Sequence, residues 1–252
     1  MLAYRFAGTA IWNLDTGSKV AALVGHDQDV TDIAVTRDAS RFFTASLDGT
    51  VRCWDATRAT AIRVHSRKGA EFVRVAVSDD AQRIVAVSRA QTLTCWSFGS
   101  GAVLYETDLP SRATDLVLTA EGSICVAGQD GAVRVLGLED GAPRASLQHG
   151  GPINCVRRVA NLPLLLTSAS GGESARSMRS QFSAAVARSN PSVDFTGHAT
   201  RRPPVDRTLR LWDVRAVAML ASFTLDCGAT QFDVDELGRF ICLGISWAMY
   251  TF

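Results

Sequence analysis

From Ser46 to Asp55 the chain reads Ser-Leu-Asp-Gly-Thr-Val-Arg-Cys-Trp-Asp, a polar turn leading into a run that ends on an aromatic and an acid. Asp-Gly is turn chemistry, and a β-branched run closing on a large aromatic fits a pleated, buried strand. Upstream, Val30-Thr31-Asp32-Ile33-Ala34-Val35 alternates as a strand does. Arg37-Asp38-Ala39-Ser40 then makes a turn, and Arg41-Phe42-Phe43-Thr44-Ala45-Ser46 is a second strand. The pattern returns at a fixed step. Trp12, Trp54 and Trp96 stand 42 residues apart (54 − 12 and 96 − 54), and Leu136 follows after 40 (136 − 96). Ala34-Val35-Thr36-Arg37-Asp38 becomes Ala76-Val77-Ser78-Asp79-Asp80, and Thr208-Leu209-Arg210-Leu211-Trp212-Asp213 restores the aromatic after a longer gap. Short strands and polar turns repeating in this way predict an all-β chain made of like units.

A period of ~40–45 residues closing on Trp-Asp, with Gly25-His26 upstream of the first full copy, resembles the WD-repeat propeller blade. The resemblance covers nearly the whole chain apart from one insertion. It implies a WD-repeat β-propeller of four-stranded antiparallel blades, with strands a to d in each. It also implies a single domain over residues 1–252. The first blade has strand b at 1–6, strand c at 8–13 and strand d at 19–23. The second is complete, and the third repeats it with Ala90-Gln91 in place of Asp-Gly. The fourth keeps Thr114-Asp115-Leu116 and Gly128-Gln129-Asp130-Gly131 but has Leu136 where Trp is expected. The fifth opens at His149-Gly150-Gly151 and runs through 153–156 and 164–170. The last has strand a at 230–234 and strand b at 239–244, with Phe252 on the Trp54 position. That makes about six blades with the first and last incomplete, either an imperfect ring or part of a larger propeller. Blades that pack on both faces should carry mostly apolar strands rather than clean alternation.

The step from Leu136 to Trp212 is 76 residues (212 − 136), against the ~41 of this architecture. The surplus, residues 171–205, falls in the b–c turn of the fifth blade. It carries Ser174, Ser177, Ser180, Ser183, Ser189 and Ser192 among Arg176, Arg179, Arg188, Arg201 and Arg202, and closes on Pro203-Pro204. A stretch without sustained period reads as a disordered surface insertion, an error in the gene model, or a functional loop.

Composition narrows the function classes. A net charge of +1 argues against a polyelectrolyte mode of nucleic-acid binding. None of the six cysteines forms a Cys-x-x-Cys pair, and Cys53 and Cys95 each precede a repeat Trp, so they read as small apolar strand positions in a reduced, intracellular setting. The cytoplasm, with the nucleus as a second choice, is the expected location. The start, Met1-Leu2-Ala3-Tyr4-Arg5-Phe6, lacks the pattern of a signal peptide, and no apolar run reaches the ~18 residues of a membrane span.

The candidate chemistry is structural. In the WD-repeat family the Gly-His turn, a strand-b hydroxyl, the turn acid and the strand-c indole share hydrogen bonds. By resemblance these are His26, Ser46, Asp48 and Trp54. A buried indole or imidazole without a partner costs ~1–3 kcal/mol, which is the physical reason for such a set. Trp12, Trp96 and Trp212 are the other repeat aromatics, although no Gly-His precedes Trp12 or Trp96 in register. A Ser-His-Asp catalytic reading of the same residues lacks a nucleophile elbow. Asp15-Thr16-Gly17 has no second copy to supply the paired carboxylate of an aspartic protease. His26, His65, His149 and His198 lack zinc-site spacing, and no phosphate-cradling Gly-Lys-Ser/Thr loop occurs. The chain is therefore expected to be a non-enzyme with no cofactor and no metal.

WD-repeat propellers mostly assemble other proteins, so the resemblance implies a scaffold or adaptor whose partners are proteins. The implied docking face is lined by the d–a turns, the b–c turns and the start of strand a. Here those positions are Asp27, Gln28, Asp29, Thr31 and Leu47, then Glu71, Val73 and Arg89, then Thr114 and Gln129, and Asn154. A regulatory module cut from a larger protein is the alternative. Nucleic-acid or lipid binding through the Ser/Arg stretch is a lesser one.

Overall fold

The computed structural model describes residues 9–13, 15–159, 162–169, 208–225, 229–234 and 241–245. Strands 1–6 and the final c strand, and the insertion at 171–205, lie outside these residues. The described chain is all-β, with twenty strands and no helix among the described residues. No helix there is long and apolar enough to cross a membrane.

The strands form successive antiparallel meanders. The first sheet pairs β1 (Thr9–Trp12) with β2 (Lys19–Leu23). The second runs β3 (Val30–Val35), β4 (Arg41–Ser46), β5 (Thr50–Asp55) and β6 (Ala61–Ser66). The third contains β7 (Phe72–Val77), β8 (Arg83–Ser88), β9 (Thr92–Ser97) and β10 (Val103–Asp108). The fourth has β11 (Ala113–Leu118), β12 (Ser123–Gly128), β13 (Ala132–Gly137) and β14 (Pro143–Gln148) in order. The fifth is built of β15 (Ile153–Arg158), β16 (Leu164–Ala169), β17 (Thr208–Asp213) and β18 (Ala218–Thr224). The last pairs β19 (Ala229–Val234) with β20 (Ile241–Ile245). Each four-stranded sheet thus reads a, b, c, d in chain order.

Register explains why the repeat ends on an aromatic. Trp54 lies opposite Phe42, Trp96 opposite Ile84 and Trp212 opposite Leu165, always against the second residue of strand b. The fifth sheet keeps this register although residues 170–207 separate its b and c strands. In the second, third and fifth sheets the register shifts twice. One residue bulges at the start of strand a: Thr31, Val73 and Asn154. Another bulges in strand d opposite the aromatic: Val20, Ile62, Leu104 and Leu220. A bulge sharpens twist and spoils a free edge for further pairing. Strand d is that edge, and it is largely exposed, whereas β4, β8, β12 and β16 are buried after their first residue. Burial on both faces is the reason strand b lacks alternation.

The chain divides into two compact units, Met1–Val126 with Val135–Arg144, and Ala127–Arg134 with Ala145–Phe252. The core of the first packs Phe43, Val51, Phe72, Ile84 and Trp96 together, and Val85, Leu93, Leu116, Ile124 and Leu136 in a second cluster. The second unit centres on Cys155, Leu166, Leu209 and Phe232. Trp12 departs from its expected role: it is 57% exposed, against 2% for Trp54, 1% for Trp96 and 6% for Trp212.

Candidate functional site

The Gly-His turn, the b–c turn and strand c meet in the second sheet. His26 Nδ1 lies 2.9 Å from a carboxylate oxygen of Asp48, and Nε2 lies 2.7 Å from the Thr44 hydroxyl. The Trp54 indole N–H donates to that same hydroxyl at 2.9 Å. Asp48 also accepts from the Asp27 amide at 3.0 Å and from the Thr50 amide and hydroxyl at 2.8 and 2.6 Å. The consistent proton order runs indole N–H to Thr44, Thr44 O–H to Nε2, and Nδ1–H to Asp48. Gly25 leaves room for this packing: a Cβ there would run into the Arg52 guanidinium and lie 3.4 Å from the Trp54 ring.

The hydroxyl in this set is Thr44, not Ser46, and that corrects the assignment by resemblance. Ser46 instead donates to the Gln28 carbonyl and accepts from the Asp48 amide, both at 3.2 Å. Cross-strand geometry gives the reason. Trp54 pairs with Phe42 and Arg52 with Thr44, so the indole reaches Thr44 as its diagonal neighbour on one face, while Ser46 is two residues farther along. The fifth sheet repeats the contact, with Trp212 Nε1 donating to Thr167 at 2.8 Å. Where Leu136 replaces the indole, the matching strand-b residue is Val126.

Each buried indole has an imidazole tilted against it. Ring centroids are 6.3 Å apart for His26–Trp54, 5.8 Å for His65–Trp96 and 6.4 Å for His149–Trp212. His65 does this from strand d, without any Gly-His turn, so motif spacing passes over it. His149 does it despite its reversed His-Gly order. At the third sheet Ala86 and Ala90 stand where Thr44 and Asp48 would, and both partners of the imidazole are gone. Burial, with the Arg63 charge beside it, pushes His65 down to about 4, against the pull of the Gly101 backbone. His26 is also lowered by burial, opposed by Asp48. Burial lifts the Asp48 carboxyl, but its bonds from Thr50, His26 and Asp27 leave it below the ordinary value.

Asp48, His26 and Thr44 are ordered like an acid, a base and a hydroxyl nucleophile. Thr44 is fully buried and its oxygen already accepts the indole proton, so no substrate carbonyl can approach it. Ser46, the nucleophile of the alternative reading, does not bond His26. The arrangement is a structural relay.

The positions expected to dock partners lie at the other end of the strands from the a–b turns. Two pairs are tied together by the backbone: Leu47 N–H donates to Asp29 O at 3.1 Å, and Arg89 N–H to Glu71 O at 2.8 Å. The Arg89 guanidinium also pairs with Glu71 at 3.0 Å, with both side chains 48% exposed. Asp29 is exposed, and Leu47 and Val73 are half-buried. Thr31 has internal work, since its hydroxyl donates to Phe72 O of the next sheet at 2.8 Å. Asp32 beside it accepts the Val75 amide at 2.9 Å, a tie between sheets that sequence patterning does not reveal. Thr114 is half-buried in the first unit; Gln129, exposed, and Asn154, half-buried at its bulge, belong to the second.

No curated protein matches the chain. Residues 17–55, from the c–d turn of the first sheet through strand c of the second, match the family model described as WD domain, G-beta repeat. That repeat, with the four-stranded antiparallel sheets built on the same register around it, is consistent with a WD-repeat family.

Proposed function

We propose that this chain is a non-catalytic protein-interaction scaffold that docks partner proteins on the surface formed by its d–a turns, b–c turns and strand-a bulges. WD repeats generally mediate protein–protein interaction, and that generality is the starting point. The observation that carries the reading is the pair of backbone ties, Leu47 to Asp29 and Arg89 to Glu71. They hold turn residues of two successive sheets in fixed positions while charged side chains face solvent. Preformed, rigid polar positions reduce the ordering cost of binding. The reading includes an intracellular setting, supported by the free, buried thiols of Cys53, Cys95, Cys125 and Cys155.

The test is paired charge reversal, Asp29→Lys with Arg89→Glu, in the full chain. The Arg89–Glu71 pair is exposed, so its loss should cost little stability. Partners co-purifying with the tagged wild-type chain should be depleted from the variant while its urea midpoint stays unchanged. Undiminished capture by a folded variant would remove this surface from the account.

A further inference from the structure

At the opposite end of the strands, beside the a–b and c–d turns, the first unit contains two versions of one site, and they differ in charge. In the third sheet Arg83 opens strand b and forms an ion pair with Glu139, in the turn after β13. The position shared with strand d belongs to Tyr105, whose hydroxyl donates to Leu138 O at 2.6 Å. This copy is closed by its own residues.

The second-sheet copy is left open. A shift of 42 residues takes Arg83 to Arg41 and Tyr105 to Arg63, and the 40-residue step from Leu136 to Trp96 takes the turn residues Leu138 and Glu139 to Phe98 and Gly99. Both guanidinium groups lie over the Phe98 ring, Arg41 at 4.8 Å and Arg63 at 5.7 Å from its centroid. The ring itself is fixed edge-on against Phe43, with centroids 6.0 Å apart. Among the described residues neither guanidinium has an ion-pair partner. Asp55 stands opposite Arg41 in the sheet, but one of its oxygens accepts the Thr57 and Arg58 amides at 2.9 and 2.8 Å and the other lies 3.7 Å from the Arg58 guanidinium. Where Glu139 stands in the sister copy, a Cβ on Gly99 would meet nothing within 4 Å. The open copy therefore has an extra cation, an aromatic floor, and free space where its sister holds a carboxylate.

We propose that Arg41, Arg63 and Phe98 form a docking site for a glutamate side chain of an acidic peptide, supplied by a partner in the position that Glu139 fills internally one sheet later. The guanidinium fork matches a carboxylate in shape and charge, and the ring can take the methylene stem. Cys53, opposite Arg63 in the sheet, takes no part in the docking: it is fully buried, and burial pushes its thiol up to about 11. This site does not depend on the docking surface at the far end of the strands.

The test is fluorescence anisotropy of a labelled oligoglutamate peptide titrated with the full chain at low salt, with oligoglutamine as the neutral control. Wild type should bind the acidic peptide and not the neutral one. Arg41→Gln with Arg63→Gln should weaken binding by roughly tenfold or more. Gly99→Glu keeps both arginines and supplies the sister carboxylate internally, so it should suppress binding equally while the urea midpoint holds or rises. Asp29→Lys with Arg89→Glu should leave binding unchanged, which separates this site from the proposed scaffold surface. Equal affinity for the two peptides, or undiminished binding by Gly99→Glu, would overturn the proposal. So would binding of a phosphoserine peptide or of anionic vesicles by a chain that ignores oligoglutamate.

Discussion

Replacing Thr44 with Val removes one oxygen and keeps the volume and branching of the side chain. The site is fully buried, so water cannot take the hydroxyl's place. Two groups lose their partner at once: the Trp54 indole N–H, now at 2.9 Å, and His26 Nε2, now at 2.7 Å. At ~1–3 kcal/mol for each buried group left unsatisfied, the loss comes to about 2–6 kcal/mol. Ser46→Ala should cost only about 1 kcal/mol, since both of its bonds are long, at 3.2 Å. The assay is equilibrium urea denaturation followed by circular dichroism and tryptophan fluorescence. A cycle with Trp54→Phe isolates the shared bond, because without the indole donor the Thr44 substitution should cost about 1 kcal/mol less or better. A Ser46→Ala loss as large as that of Thr44→Val would refute the Thr44 assignment, as would a cycle with no coupling.

Backbone geometry supplies further expectations. Five residues after each repeat aromatic, or after its Leu136 substitute, the c–d turn takes a left-handed residue: Gly17, Ala59, Gly101, Gly141 and Val217. Val217, with φ of 52°, is β-branched, so Val217→Gly should raise stability by about 1 kcal/mol in urea titration. In the b–c turn Gly49 has φ of 81° and a Cβ there would stand 2.8 Å from Ala70 O; Gly49→Ala should therefore destabilise by about 1–3 kcal/mol. Gln91 holds the same turn position at φ of 64°, and Gln91→Gly should stabilise, with a higher melting temperature as the readout. Acid should act through the imidazoles. His65 is held below its unfolded value of about 6.5, so the unfolded chain binds the extra proton; stability is full above pH ~6.5 and declines as pH falls toward 4, by about 3 kcal/mol in total. His65→Phe should flatten that part of the stability–pH profile.

The strand positions were legible because the repeat carries them. The 42-residue step and the Trp opposite the second residue of strand b are one fact seen in sequence and in register. The Asp48–His26 contact was legible by resemblance, whereas Thr44 was missed. Thr44 and Ser46 are both small hydroxyl residues on the same face of strand b, and only the cross-strand diagonal decides which meets the indole. His65 was missed because it reaches Trp96 from strand d, where no motif places it. The charge difference between the Arg41 and Arg83 copies was also invisible until the two sites could be compared, since its partners come from different strands and from the next sheet.

The scaffold reading is tested most directly by hydrogen–deuterium exchange on the full chain, alone and saturated with a purified co-isolated partner. The account predicts new protection concentrated at 27–31, 47–49, 71–73 and 89–91. Strands β6 and β10 should exchange as in the free protein. Protection confined to the exposed edges of β6 and β10, with those turns unchanged, would contradict it.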